Sequence, residues 1–129
     1  MPPTLADRLI HILSAIDGIE AMLAGKTIDD FTSDLMLRLA VERALEIVCE
    51  ASRHIPSQIK TGETSIDWQR IVNFGNMLRH AHHRVDSRIV FEIIGHDLPP
   101  LKAFAERVVG EEQGNTSSRW PRARPATAA

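Results

Sequence analysis

The stretch LRLAVERALEIVCEASRHI, from Leu37 to Ile55, decides the fold class. Its apolar members Leu37, Val41, Ala44, Leu45, Val48, Ala51 and Ile55 recur at three and four residues, the spacing of one helical face, and Pro56 closes the run. This is the pattern of a long core helix. Upstream, Leu5, Leu9, Ile12, Leu13, Ile16, Ile19 and Leu23 repeat the same spacing from Thr4 to about Ala24, with Gly25 as a natural stop before the polar segment Lys26 to Ser33. Downstream, the polar stretch SQIKTGETS, Ser57 to Ser65, reads as a loop leading to a cap at Ser65 or Asp67. A third helix carries Trp68, Ile71, Val72, Phe74 and Leu78, and it ends in a polar, histidine-rich run from Arg79 to Arg84.

The short apolar segment Ile89 to Ile94 is read as a helix ended by Gly95, although its length alone also fits a strand. Asp97 is expected to cap a last helix with Pro99 and Pro100 in its first turn, where a missing N–H costs little. Leu101, Phe104 and Val108 would form its buried face and Gly110 its end. With no repeat and no hairpin chemistry, the chain reads as an all-α, up-and-down bundle of four to five helices over residues 1–110. Residues 111–129 are rich in Ser, Thr, Pro, Arg and Ala without periodicity, and read as a disordered C-terminal tail. Its arginines, Arg119, Arg122 and Arg124, suit either a polyanion or plain solvation.

Length and composition bound the function classes. The 129 residues are enough for one domain with one core, and 43% hydrophobic with 25% charged residues exclude a collagen-like or wholly disordered chain. Fifteen Lys and Arg against 17 Asp and Glu give a net charge of -2, so no strongly cationic surface announces nucleic acid or membrane. Cys49 is the only cysteine, which excludes an intramolecular disulfide and favours a reducing compartment. The absence of a signal peptide, lipidation motif or membrane-length apolar run leads to the expectation of a cytoplasmic protein.

Three of the six histidines, His80, His82 and His83, fall together with Arg79 and Arg84 and are followed by Asp86. Imidazole titrates near neutral pH and guanidinium stabilises phosphate charge, so the cluster suits acid–base chemistry on a phosphodiester. It equally suits a polar helix end whose cations meet the negative end of the helix dipole. A metal site is disfavoured, because only His83 and His82 stand three and four residues before Asp86. His11 and His54 read as surface or boundary residues. Glu46 and Glu50 read as solvated or paired with Arg43 and Arg53, and Cys49 as a packed side chain rather than a nucleophile. No phosphate-cradling glycine loop or GxSxG elbow is present.

The segment LEIVCEASRHI, Leu45 to Ile55, resembles the LEIIGEAA element of HepT-like proteins, with Cys49 where a glycine is usual. WQRIVNFGNMLRHAHHRVD, Trp68 to Asp86, looks like the family's tryptophan-led helix ending in RNxLxHxYxxVD, and Leu98 to Val108 is similar to its last helix. The resemblance covers roughly residues 4–110 and implies a HEPN-superfamily helical domain forming a homodimer, with the motif at the subunit interface. It implies the toxin of a bacterial type VII-like toxin–antitoxin pair, acting as a metal-independent ribonuclease on RNA with no cofactor. Its partner would be a minimal nucleotidyltransferase antitoxin. The alternative is a catalytically degenerate HEPN subunit that only binds the nucleotidyltransferase.

Carried over by position, the family histidine falls on His80, the asparagine on Asn76, and the Val-Asp pair on Val85 and Asp86. His80, Arg79 and Asn76 are thus the expected catalytic residues, and His82, His83, Arg84 and Asp86 the expected substrate-binding ones. Two positions depart from the pattern. The motif's arginine should lie a few residues before its histidine, but positions 73 to 75 here are Asn73, Phe74 and Gly75, and Gly75 takes the arginine's place in the RNxLxH run. The tyrosine that the antitoxin modifies with AMP falls on His82, and the chain has no tyrosine at all. Neutralisation by tyrosine AMPylation therefore cannot operate.

Overall fold

The computed structural model describes residues 2–80 and 85–116. Among them stand seven helices and no strand: α1 (Leu5–Leu23), α2 (Ile28–Ser33), α3 (Leu35–Arg53), α4 (Ser57–Gly62), α5 (Trp68–His80), α6 (Ser87–His96) and α7 (Leu98–Thr116). Five are long enough to pack as bundle members, as the periodicity predicts. The six-residue α2 and α4 lie in segments whose polar composition reads as connection. Such single-turn elements bury too little to show an apolar stripe; a capping box starts α2, whereas α4 follows Pro56 without a side-chain cap.

The helix starts follow directly from side-chain chemistry. Thr4 and Asp7 form a reciprocal capping box at α1 (3.1 and 2.9 Å), and Thr27 and Asp30 repeat it at α2 (3.1 and 2.9 Å). Asp34 accepts from the Leu37 amide at α3 (3.1 Å), and Asp67 from the Arg70 amide at α5 (3.0 Å), which decides the expected choice between Ser65 and Asp67. Gly25, with φ of 73°, turns the chain out of α1 in a conformation that a β-carbon penalises.

Packing joins α1 to α3 and α7, α3 to α5, and α6 to α7, while α2 leans on α3 and α6. The core follows the predicted stripes: Leu9, Ile12, Ile16 and Ile19 of α1, Val41, Leu45 and Val48 of α3, and Leu101 and Phe104 of α7 are buried, while Ala105 joins them and the expected Val108 is only partly buried. Each large member contributes about 1.5–3 kcal/mol by leaving water. Aromatic contacts tie the edges in, Trp68 meeting Phe104 edge-on at 5.5 Å and Phe31 meeting Phe91 at 5.8 Å.

Two boundary expectations change. The last helix runs through Gly110 to Thr116, because an interior glycine costs a helix only about 1 kcal/mol and nothing here forces it into a left-handed turn. The remaining tail, residues 117–129, lies outside the described residues. Asp97, expected as a cap, is instead buried, with Oδ2 3.1 Å from Arg70 Nε and Oδ1 3.1 Å from His96 Nδ1, so it ties α5 to the α6–α7 junction. No helix among the described residues is long and apolar enough to cross a membrane.

Candidate functional site

Helix α5 presents the motif because its two sides face different surroundings. Ile71, Phe74, Gly75 and Leu78 are buried, while Asn76 and His80 are exposed and, at i and i+4, share the outer face. Arg79 is half-buried between them. Its Nη1 donates to Glu50 Oε1 at 2.6 Å and its Nη2 to Asn76 Oδ1 at 2.5 Å. The guanidinium is thus held from two sides immediately before His80, with further N–H donors left for an anion.

Glu50 is the centre of this arrangement. Arg53 Nη1 donates to Oε1 at 3.4 Å, and His54 Nε2 stands 3.0 Å from Oε2, a hydrogen bond in the tautomer that protonates Nε2. Partial burial pushes the Glu50 carboxyl up, but the hydrogen bonds from His54 and Arg79 and the charges of Arg53 and Arg79 outweigh it and hold it below the usual carboxylate range. Glu50 therefore stays ionised at neutral pH and fixes Arg79. The expected pairing of Glu50 with Arg53 and of Glu46 with Arg43 (3.3 Å) is present, but the Arg79 contact, 29 residues away in sequence, is not visible in spacing. Only the i, i+4 relation of Glu50 and His54 signals the cluster in the sequence.

The departure at Gly75 has a steric cause. A β-carbon at this position would lie 2.5 Å from Cys49 Cβ on α3, so no side chain fits while Cys49 is there. The two unusual residues, cysteine for glycine on α3 and glycine for arginine on α5, face each other across one seam. Arg79 lies one helical turn further along the same side of α5 and reaches the neighbouring α3 residue, Glu50. Cys49 itself is buried, and burial with the nearby Glu46 pushes its thiol up to about 12, which rules out a thiolate nucleophile at neutral pH.

Of the other expected site residues, Asp86 stands at the start of α6. Its Oδ1 accepts from the Arg88 amide at 2.9 Å and caps α6. His82, His83 and Arg84 lie outside the described residues. Among the described residues no three His, Cys, Asp or Glu side chains converge to hold a metal ion. Arg79 also lines a groove of about 400 Å³ where α1 meets α3, together with His54 and Arg43, a feature that sequence spacing did not reveal.

No solved structure matches the chain. Among named proteins it is similar to a probable ribonuclease HepT of Thermococcus cleftensis, 35% identical over 102 residues that make up 79% of this chain and 93% of the relative. It is 28% identical to a protein of Caldanaerobacter subterraneus subsp. tengcongensis over 81% of this chain and 94% of that one. A third relative, from Methanocaldococcus jannaschii, is 30% identical over 78% of this chain and 92% of its own length, and the names of both proteins give RNase as an inferred activity. The family description "Ribonuclease HepT-like" matches residues 12–108, a span that runs from α1 to α7 and contains the Arg79–Glu50 seam. With a match over most of its length and relatives of nearly its own extent, the chain belongs to the ribonuclease HepT-like family, within the HEPN superfamily.

Proposed function

We propose that this protein is a metal-independent ribonuclease acting as the toxin of a toxin–antitoxin pair, with His80, Arg79 and Asn76 as its working residues. One observation carries the reading: in a chain of the HepT-like family, Glu50 and Asn76 hold Arg79 in place directly before the exposed His80. His80 takes the proton from a ribose 2′-hydroxyl, or returns one to the departing 5′-oxygen. The 2′-oxygen bonds to the adjacent phosphorus as the bond to the 5′-oxygen breaks, leaving a 2′,3′-cyclic phosphate and a 5′-hydroxyl. Arg79 stabilises the charge that builds on the non-bridging oxygens. Asn76 orients Arg79 rather than touching the reacting atoms.

The partners are those that the HepT-like resemblance implies, a second copy of this chain and a nucleotidyltransferase. Leu35, Met36 and Leu39 of α3 are 58%, 82% and 53% exposed, and Leu39 shares a depression with Arg79. A homodimer closed through this apolar run brings two Arg79–His80 sites toward a common cleft. A nucleotidyltransferase antitoxin would act by binding or by modifying a residue other than tyrosine, since the chain has none.

Gly75 favours a second reading, in which the motif has lost its arginine and the protein only binds the nucleotidyltransferase. Incubation of the purified protein with a structured RNA in excess chelator separates the two. The first reading expects a cyclic-phosphate product, reduced by about 10²–10⁴-fold in His80→Ala. Absence of cleavage by folded, dimeric wild-type protein selects the second.

A further inference from the structure

The groove between α1 and α3 extends beyond the motif and shares Arg79 and its partner Glu50 with the site above. Arg8 and His11 line it from α1, Arg43 from α3, His54 from the end of that helix, and Arg79 from α5, with Ile47 and Ala51 as an apolar floor. Its volume, about 400 Å³, is in the range of sites that accept a nucleotide-sized group. Two glutamates, Glu46 and Glu50, also line it, but both are engaged. Glu46 pairs with Arg43 at 3.3 Å, and Glu50 is shared by Arg79, Arg53 and His54.

Three arginines against two carboxylates leave a local positive excess in a chain whose net charge is -2. Arg43 on α3 and His54, the residue that closes that helix, stand eleven residues apart, about 16 Å along the helix axis at about 1.5 Å per residue. Hydrogen-bonding and cationic groups spread over that length suit an extended polyanion better than a single phosphate. Arg79 belongs both to this groove and to the motif, so a strand seated in one leads into the other.

We propose that this groove is a binding track for the phosphodiester backbone of single-stranded RNA, with Arg8 and Arg43 making phosphate contacts remote from the cleaved bond. The proposal rests on the ribonuclease reading and adds a subsite to it. Arg8 and Arg43 position substrate and take no part in proton transfer. Their loss weakens binding without changing which bond is cut.

The test is fluorescence anisotropy of a labelled single-stranded RNA oligonucleotide across a salt series, in a His80→Ala background that keeps the RNA intact. The comparison is with the same protein also carrying Arg8→Gln and Arg43→Gln, its fold checked by circular dichroism. Two lost phosphate contacts should weaken binding several-fold at low salt and reduce the slope of log K against log salt by roughly 1.4, at about 0.7 per contact. With His80 restored, the two substitutions should raise KM and leave kcat and the cleavage position as they are. RNA binding with an unchanged salt slope overturns the groove and leaves the ribonuclease reading standing. A protein that neither binds nor cleaves RNA at low salt overturns both.

Discussion

Gly75 and Arg79 stand one turn apart on the same side of α5, and they meet consecutive residues of α3. Gly75 faces Cys49 at a separation that admits no further carbon, whereas Arg79 reaches across to the ionised carboxylate of Glu50. The first contact is dry and steric, so volume decides what is allowed there. The second is partly solvated and electrostatic, and side-chain charge and hydrogen-bond geometry decide it. Within a few ångströms the seam changes from a place where a large residue cannot enter to one where a large cation is held ready. The fold thus keeps a motif-side arginine while closing the position where the family pattern has it.

The sharpest way to break this comparison is to force a side chain into the dry half. Gly75→Arg should destabilise the protein by more than about 3 kcal/mol through overpacking and burial of a charge, and Gly75→Ala by about 1–3 kcal/mol despite alanine's better helix propensity. Urea melts of these variants with and without Cys49→Gly should show a coupling of about 1 kcal/mol or more, and additivity would mean the two positions do not share space.

The polar half predicts the opposite balance. Arg79→Ala should lower the cleavage rate by about 10²–10³-fold while costing about 1 kcal/mol or less of stability, because its pair with Glu50 is partly exposed. A variant that unfolds, or one that cleaves normally, contradicts the assignment.

Glu50 gives a pH signature. Its carboxyl lies below the ordinary value of 4.5 in the folded protein, so the unfolded chain binds more protons in the window beneath 4.5. The stabilisation it contributes is complete above that pH and is lost as pH falls through the lowered folded-state value. Denaturation at neutral pH and at roughly pH 3 should therefore show wild type and Glu50→Gln converging in acid. A gap that does not narrow removes Glu50 from the centre of the network. The smallest effect belongs to Arg53, 44% exposed and 3.4 Å from Glu50, where substitution by alanine should change stability by less than about 0.5 kcal/mol.

Most of the fold was legible in the chain because the long helices announce themselves. The stripes on α1, α3, α5 and α7 are local properties readable from spacing, and side-chain type narrowed the α5 cap to Ser65 or Asp67. Less was legible of the site. Asn76 and His80 stand out by motif, but that Asp86 caps α6 shows only in the geometry of the Arg88 amide. Asp97 likewise looks like a cap until its burial beside Arg70 is seen. The short helices α2 and α4 carry too few residues for periodicity to register.

The sequence alone determined the all-α class, the HepT-like resemblance, the missing motif arginine and the impossibility of tyrosine AMPylation, since these depend on residue identity and local spacing. Only the tertiary structure decided why position 75 must be glycine, which carboxylate holds Arg79, and that Arg8 and Arg43 line one groove. Those facts depend on how closely helices distant in sequence approach one another, and that distance is set by the packing of the whole core rather than by any stretch of the chain.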